Sequence, residues 1–210
     1  MTNPLLVSSE LPAFSKIKPE HVKPAVEHAI AECKKVIANV LEEKTFTWAN
    51  LVMPTDEADD TLTKLWSPVS HMNSVINSDE LRDAYESCLP LLSEYSTFVG
   101  QHQGLYQAYQ QLADSDEYQQ LDTAQKKVMD NALRDFKLSG IALNDDDKKR
   151  YGEVVTRLSE LSSTFGNNLL DATHAYSVNI TDKSKLAGLP DSAIEAAAEL
   201  AKEQEKQGWL

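Results

Sequence analysis

The feature that most constrains the fold is a stretch from Ser78 to Leu112 in which apolar residues recur at three- and four-residue steps. They are Leu81, Tyr85, Cys88, Leu89, Leu92, Tyr95, Val99, Tyr106, Tyr109 and Leu112. This spacing puts them on one face of a single long helix. Because such a face must be covered, the stretch predicts that other helices pack against it.

The remaining composition favours the same fold class. The chain has only 7 Gly and 8 Pro in 210 residues, too few for a fold with many tight turns, while helix-favouring residues are abundant. We predict an all-α protein, an irregular bundle of long, partly kinked helices with at most a short strand near residues 176–181. Pro68 and Pro90 lie inside apolar helical patterns, where proline should bend or break a helix.

Apolar spacing and capping residues predict further helices on both sides of this stretch. They are Pro19–Lys44, a short turn at Thr47–Val52, a helix opened by Pro54 with Thr55 as its cap, a helix capped by Thr123 to about Leu138 with Gly140 as its stop, a long helix capped by Asn144 or Asp145 to about Ala172, and a helix from Ser192 to about Gln207 with Ser192 and Glu195 as a capping box. We predict one helical domain over residues 1–210, in which residues 176–207 lead toward a part that this sequence does not contain.

The charge is strongly negative and unevenly placed. Net charge is -13, yet residues 1–52 carry six bases and six acids. Residues 53–122 carry two bases, Lys64 and Arg82, against 13 acids. This distribution argues against nucleic acid as a partner. An acidic surface could attract cationic peptides, but the solvation of long helices also accounts for it.

The cysteines and the N-terminus indicate the compartment. Cys33 and Cys88 each lie in an apolar helical stripe, with no Cys or His at the spacing of metal ligands. We therefore expect buried, reduced thiols and a cytoplasmic location. The first seven residues have no positive charge, and their apolar run is too short for a signal peptide or a membrane span.

No catalytic or metal-binding motif is present. The histidines are His21, His28, His71, His102 and His174. None is followed by Glu and no two are four residues apart, so the zinc-binding His-Glu-x-x-His motif is absent. Motifs for a serine nucleophile and for phosphate binding are absent as well. We expect no catalytic, cofactor-binding or metal-binding residue in this chain.

Three groups of residues allow a functional and a structural interpretation. His102, between Gly100 and Gly104, could contact a peptide, but we favour a histidine where two helices cross closely. Asp145–Asp147 could suggest a cation site, but acids in the first helical turn are favoured by the helix dipole. The tyrosines could offer hydroxyls to a peptide, but packing between helices is the commoner use. They are Tyr85, Tyr95, Tyr106, Tyr109 and Tyr118.

Several stretches resemble a known family. Residues 11–26 (LPAFSKIKPEHVKPAV), 145–151 (DDDKKRY), 158–165 (LSELSSTF), 186–198 (LAGLPDSAIEAAA) and the final Gly208-Trp209-Leu210 are similar to the N-terminal part of zinc metallopeptidases of the thimet oligopeptidase family. The resemblance spans nearly the whole sequence, but only about the first third of a full-length family member.

The resemblance implies an N-terminal helical region that forms one wall of a deep channel for short peptides. Family members carry the zinc ligands and the general base downstream, so no residue here takes a catalytic or metal role, and the chain alone should be inactive. The implied partners are short peptides and the missing catalytic part. The apolar pair that follows Gly208 also looks like a point where a longer chain was cut. The alternative is a free-standing helical module that binds another protein.

Overall fold

The fold is described from a computed structural model covering residues 3–7 and 11–210. Within this part the chain forms eight α-helices, with no β-strand, which confirms the all-α prediction. The helices are α1 (Pro19–Val40), α2 (Met53–Val75), α3 (Asp79–Gly100), α4 (Gln103–Ala113), α5 (Asp116–Gln120), α6 (Thr123–Leu138), α7 (Asp145–Ala175) and α8 (Asp191–Glu203). Two compact units divide the chain, Met1–Ser162 and Ser163–Leu210.

Helix α1 lies at the centre of the first unit and packs against α2 and α3. Pro19 occupies its first turn, where the missing N–H of proline leaves no hydrogen bond unmade. The Lys18 N–H donates to His21 Nδ1 at 3.1 Å, which fixes the start of the helix. Eight of its apolar side chains are buried, and they are Val22, Ala25, Val26, Ala29, Ile30, Cys33, Ile37 and Val40. Its amphipathic pattern therefore faces the core of this unit.

Helix α2 begins earlier than its sequence suggests. Thr47 caps a π-helical turn, Trp48–Val52, which continues directly into α2. Its hydroxyl accepts from the Asn50 N–H at 3.0 Å. The expectation that Thr55 caps this helix is wrong, because its hydroxyl instead donates to the Leu51 carbonyl at 2.8 Å. Helical hydrogen bonding is already established when the chain reaches Thr55, so no free N–H remains there to be capped.

The single helix predicted over Ser78–Leu112 is divided, and this prediction is wrong. Helix α3 ends at Gly100 and α4 begins at Gln103. His102 caps α4, since its Nδ1 accepts from the Leu105 N–H at 3.2 Å. Gln101 Nε2 donates to the Ser139 carbonyl at 3.0 Å. A capping side chain and a tertiary hydrogen bond thus replace the helical hydrogen bonds at this point. The spacing of the apolar residues continues across the break and gives no sign of it.

The prolines do not interrupt their helices. Helix α2 continues through Pro68 and α3 through Pro90. Pro68 is itself buried between other apolar residues of α2. Tertiary packing therefore holds helical backbone at a residue whose intrinsic preference opposes it.

Helices α6 and α7 are joined by a tight turn at Gly140. Helix α6 is capped by Asp122, one residue before the predicted Thr123, and the Asp122 carboxylate accepts from the Gln125 N–H at 2.8 Å. Gly140 has a φ of 82°, a conformation that glycine adopts without strain, and it follows the end of the helix as predicted. Asn144 Oδ1 accepts from the Asp147 N–H at 2.9 Å, so Asn144 is the cap of α7.

The second unit contains the end of α7, a 3-10 turn at Lys183–Leu186 and α8. The short strand expected near 176–181 is reduced to one antiparallel bridge, in which Ile180 and Trp209 exchange N–H to carbonyl bonds of 2.8 and 2.9 Å. Helix α8 begins at Asp191 after Pro190, with no side-chain cap, so the predicted capping box is wrong. Proline restricts the backbone conformation just before the helix, and α8 begins one residue before the predicted start at Ser192.

Candidate functional site

The most distinctive surface is the exposed apolar stripe of α7, defined by Val154, Leu158, Leu161, Phe165 and Leu169. None of the 31 residues of α7 is buried. Leu158 is 58% exposed and Phe165 is 71% exposed. Scattered apolar residues are normal on protein surfaces, but a continuous stripe of exposed apolar side chains along one helix is typical of an interaction surface.

Within the first unit, the opposite face of α7 turns toward α3. Gly152, Thr156 and Glu160 recur at four-residue steps and line a cleft of about 1010 Å³ whose other wall is α3 and the start of α4. A Cβ added to Gly152 would lie 3.6 Å from Thr97 Cγ2. Because Val154 and Leu158 are about half a turn away from these residues, they face away from the cleft. The first half of α7 therefore packs with its polar face and leaves its apolar face open.

A second polar arrangement lies where α1, α2 and α3 meet. Tyr95 is buried, and its hydroxyl donates to Asp59 Oδ1 at 2.5 Å. Cys33 Sγ donates to the Ala58 carbonyl at 3.3 Å. One turn earlier on α2, the Thr55 hydroxyl lies 3.3 Å from the Tyr109 hydroxyl. These contacts connect α2 to α1, α3 and α4.

The surroundings shift the pKa of each titrating group in this arrangement. Burial is the main cause that raises the pKa of Asp59, although the Tyr95 hydroxyl opposes it by stabilising the charged carboxylate. Burial, then the hydrogen bond to Asp59, raises the pKa of Tyr95. Burial also raises the pKa of the Cys33 thiol, and that of the Cys88 thiol. Both cysteines are free and buried, so they are thiols of low reactivity.

Sequence reasoning missed the tertiary contacts of Asp59 and Thr55, although a signal was present. Counting back from the buried Leu62 by three and then four residues reaches Asp59 and Thr55. Polar residues in the line of an apolar stripe require partners inside the fold. The acids on either side of Asp59 concealed this pattern, because the whole segment reads as a solvated surface.

The histidines do not come together. His21 and His102 cap helices, the His71 ring lies 5.8 Å from the Phe14 ring, and His28 and His174 are exposed. Among the residues that the structure describes, no three His, Cys, Asp or Glu side chains are placed to hold a metal ion. Asp145–Asp147 lie in the first turn of α7, where the helix dipole favours them.

Each tyrosine considered in the sequence has a partner within the fold. Tyr85 stacks on Trp66 with ring centres 4.8 Å apart, and the rings of Tyr106 and Tyr109 contact Phe136 at 5.6 Å. The Tyr118 hydroxyl donates to Asp130 Oδ1 at 3.2 Å on the surface.

Gly100 packs so closely on the residue that follows α6 that an added Cβ would lie 2.5 Å from Ser139 Cβ.

The fold and these surfaces define an all-helical chain with an exposed apolar face on α7. A family model described as "Neurolysin/Thimet oligopeptidase, N-terminal domain" matches residues 26–148, more than half of the sequence. The chain therefore belongs to the neurolysin/thimet oligopeptidase family.

Curated relatives match the chain over almost its whole length. It is 56% identical to oligopeptidase A of Salmonella typhimurium over 211 residues, which cover 100% of this chain and 31% of the relative. It is 30% identical to a probable cytosolic oligopeptidase A of Arabidopsis thaliana, with 95% and 28% covered. It is 26% identical to a dipeptidyl carboxypeptidase of Escherichia coli, with 96% and 30% covered. The chain thus spans about a third of the length of these relatives.

No helix within residues 3–7 and 11–210 combines the length and the apolar character needed to cross a bilayer.

Proposed function

We propose that this chain is the N-terminal helical part of a cytoplasmic, zinc-dependent oligopeptidase that hydrolyses short peptides, and that its role is to form part of the wall of the peptide channel. The observation that carries the proposal is the match of 56% identity over the whole chain to oligopeptidase A. A free-standing protein-interaction module is the alternative, and the experiments below distinguish the two.

The chemistry is assigned outside this chain. The described residues do not fit a zinc site, since none of His21, His28, His71, His102 and His174 belongs to a group of three His, Cys, Asp or Glu side chains that could hold a metal ion. We therefore propose that zinc, which polarises a peptide carbonyl and activates water in metallopeptidases, is bound by the other two thirds of the length of such an enzyme. No step of hydrolysis is assigned to a residue of this chain.

The exposed stripe of α7 supports a role as one layer of a larger structure. Five large apolar side chains lie open along the helix, while the first half of α7 packs with its polar face. Burying such side chains contributes about 1.5–3 kcal/mol each. We propose that the catalytic part of the enzyme covers this stripe and that residues 1–210 act with it as a unit.

Hydrolysis of a quenched fluorescent peptide tests the proposal. The 210-residue chain should be inactive and bind no zinc, and a polypeptide that continues through the remaining length of the relatives should be active and contain zinc. Activity of the purified chain alone would overturn the assignment of the chemistry to another part. Full activity of the remaining part without residues 1–210 would overturn their role in the channel.

Variants of the α7 stripe test the covering of α7. Leu169→Glu places a charge on the stripe and should lower the activity and the melting temperature of the longer polypeptide. His174→Glu is the control, because His174 is exposed about half a turn from Leu169 on the same helix. Equal effects of the two variants would contradict the proposal that the catalytic part packs on the stripe.

A further inference from the structure

A groove in the first unit combines an apolar floor with acidic walls. It holds about 640 Å³ and runs between α2 on one side and α3 and α6 on the other. We call it the acidic groove and define it by Asp56, Asp59, Tyr95, Asp135 and Phe136.

The floor of the acidic groove suits an aliphatic chain. Val52, Leu62, Val99, Leu105 and Phe136 all line it, and most of them are buried in the core of the unit. Apolar side chains at the base of a groove favour a ligand that brings apolar surface with it. A small hydrated ion would gain no favourable contact from these apolar side chains.

The walls of the acidic groove suit a positive charge. Asp56 and Asp59 stand on α2 and Asp135 stands on α6, and no Lys, Arg or His side chain lines the groove. Arg134 donates to Asp135 Oδ1 at 3.0 Å from outside the groove, so the carboxylates of α2 carry most of the uncompensated charge. The surrounding sequence strengthens this field, since residues 53–122 hold 13 acids and two bases.

The Tyr95 hydroxyl holds the carboxylate of Asp59 in place. It donates to Oδ1 at 2.5 Å, which leaves Oδ2 without a hydrogen bond to Tyr95. The Asp59 residue is exposed overall at the groove, while its carboxyl group lies against the buried Tyr95 and is partly desolvated there. A carboxylate fixed on one oxygen and open on the other is prepared to accept from an ammonium or guanidinium group.

We infer that the acidic groove binds the side chain of a lysine or arginine residue in a short peptide. Lysine and arginine carry a cation on an aliphatic stem, which matches the acidic walls and the apolar floor together. The inference rests on the proposed function, because that function brings short peptides to this protein, and it adds a basic residue to the preferred peptides.

Binding of three matched peptides tests the inference. The probes are acetyl-Leu-Lys-Leu-amide, its norleucine analogue, which keeps the stem but lacks the ammonium group, and its glutamate analogue. Each is titrated into the isotopically labelled 210-residue chain, and amide chemical shifts are followed by NMR. We expect the lysine peptide to shift amides of residues 55–63, 95–100 and 128–139 and to bind more tightly than norleucine by about twofold to fivefold. Added salt should reduce this difference. Equal binding of lysine and norleucine, or no binding, overturns the inference.

Substitutions locate the binding site. Asp59→Asn should weaken the lysine peptide by about twofold to fivefold and leave the norleucine peptide unchanged. Asp83→Asn removes the same charge from an exposed position of α3 that does not line the groove, so it should leave both peptides unchanged. An equal loss of affinity in the two variants would mean that the overall negative charge of the protein attracts the lysine peptide. It would overturn the inference that the acidic groove is the binding site. Circular dichroism establishes that both variants are folded.

The longer polypeptide separates this inference from the proposed function. If its groove amides are already shifted and do not respond to the lysine peptide, a segment of the protein itself occupies the groove and the inference fails. If lysine peptides bind as expected but the longer polypeptide hydrolyses no peptide, the proposed function fails and the binding site stands.

Discussion

Helices α1 and α7 carry the same kind of apolar periodicity, yet α1 buries eight side chains and α7 buries none. Helix α1 has α2 and α3 on either side, whereas the stripe of α7 is open. An amphipathic pattern thus indicates which face of a helix can be buried. The neighbouring elements determine whether that face is buried. The difference between these two helices separates the part of the chain that forms its own core from the part that offers a surface.

The largest expected effect in this comparison comes from truncating a leucine side chain. Leu112 is completely buried and Leu158 is 58% exposed. Leu112→Ala should lower the free energy of unfolding by about 2–5 kcal/mol, because it leaves a cavity in the core. Leu158→Ala should change it by less than about 0.5 kcal/mol. Urea denaturation followed by circular dichroism measures both. A large loss in Leu158→Ala would mean that this chain already covers the stripe.

Glycine substitutions sharpen the comparison at the backbone. A Cβ at Gly100 would lie 2.5 Å from Ser139 Cβ, whereas nothing lies within 4 Å of one at Gly166 in α7. Gly100→Ala should lower the free energy of unfolding by about 1–3 kcal/mol through overpacking. Gly166→Ala should stabilise α7 by about 1 kcal/mol, because alanine favours helix more than glycine does. Hydrogen exchange of the α7 amides reports the second effect, and faster exchange in Gly166→Ala would contradict an open helix.

Two tyrosine–aspartate hydrogen bonds test how much burial contributes. The Tyr95–Asp59 bond joins a buried ring to α2, and the Tyr118–Asp130 bond lies on the surface. Tyr95→Phe should lower the free energy of unfolding by about 0.5–1.5 kcal/mol. Tyr118→Phe should leave it unchanged, since water replaces the lost partner. Thermal denaturation of both variants measures these changes in stability. Equal losses of stability would mean that the burial of Tyr95 does not increase the contribution of its hydrogen bond.

The smallest expected effect is a pH dependence that originates from Asp59. Its pKa lies above the ordinary value of 3.8 in the folded chain, mainly through burial, so the folded state binds this proton more tightly than the unfolded state. Its contribution to stability is present below pH 3.8 and is lost as the pH rises through the raised pKa. Asp59→Asn removes the titrating group and therefore this loss of stability at higher pH. The stability of the variant relative to the parent should therefore increase as the pH rises above 3.8 in urea titrations. A decrease would reverse the assigned direction of the pKa shift.

Much of the helical order could be predicted from the sequence. Apolar spacing located α1, α2, α6 and α7, and Gly140 marked the turn after α6. Capping residues were less certain, since Asp122 and Pro190 replace Thr123 and Ser192 at the starts of α6 and α8. Adjacent residues can satisfy the same N–H groups, and only the backbone geometry selects between them.

The features that require distant partners could not be predicted. The end of α3 depends on Ser139, which is 38 residues from Gln101, and the acidic groove depends on the meeting of α2 and α6. Neither relation leaves a periodic mark in the sequence. The proposed role of the chain rests on the family resemblance, since composition and spacing alone predict only a helical bundle.

The break between α3 and α4 also determines where two tyrosines lie. In one straight helix, Tyr95 and Tyr109 would be about 21 Å apart along the axis. With the break at residues 101–102, they contact Asp59 and Thr55, which are one turn of α2 and about 6 Å apart. The turn thus sets the rotational register of α4 against α2. One residue inserted within α4 before Tyr109 would rotate the residues after it by about 100° and remove Tyr109 from Thr55, while the contact between Tyr95 and Asp59 would remain.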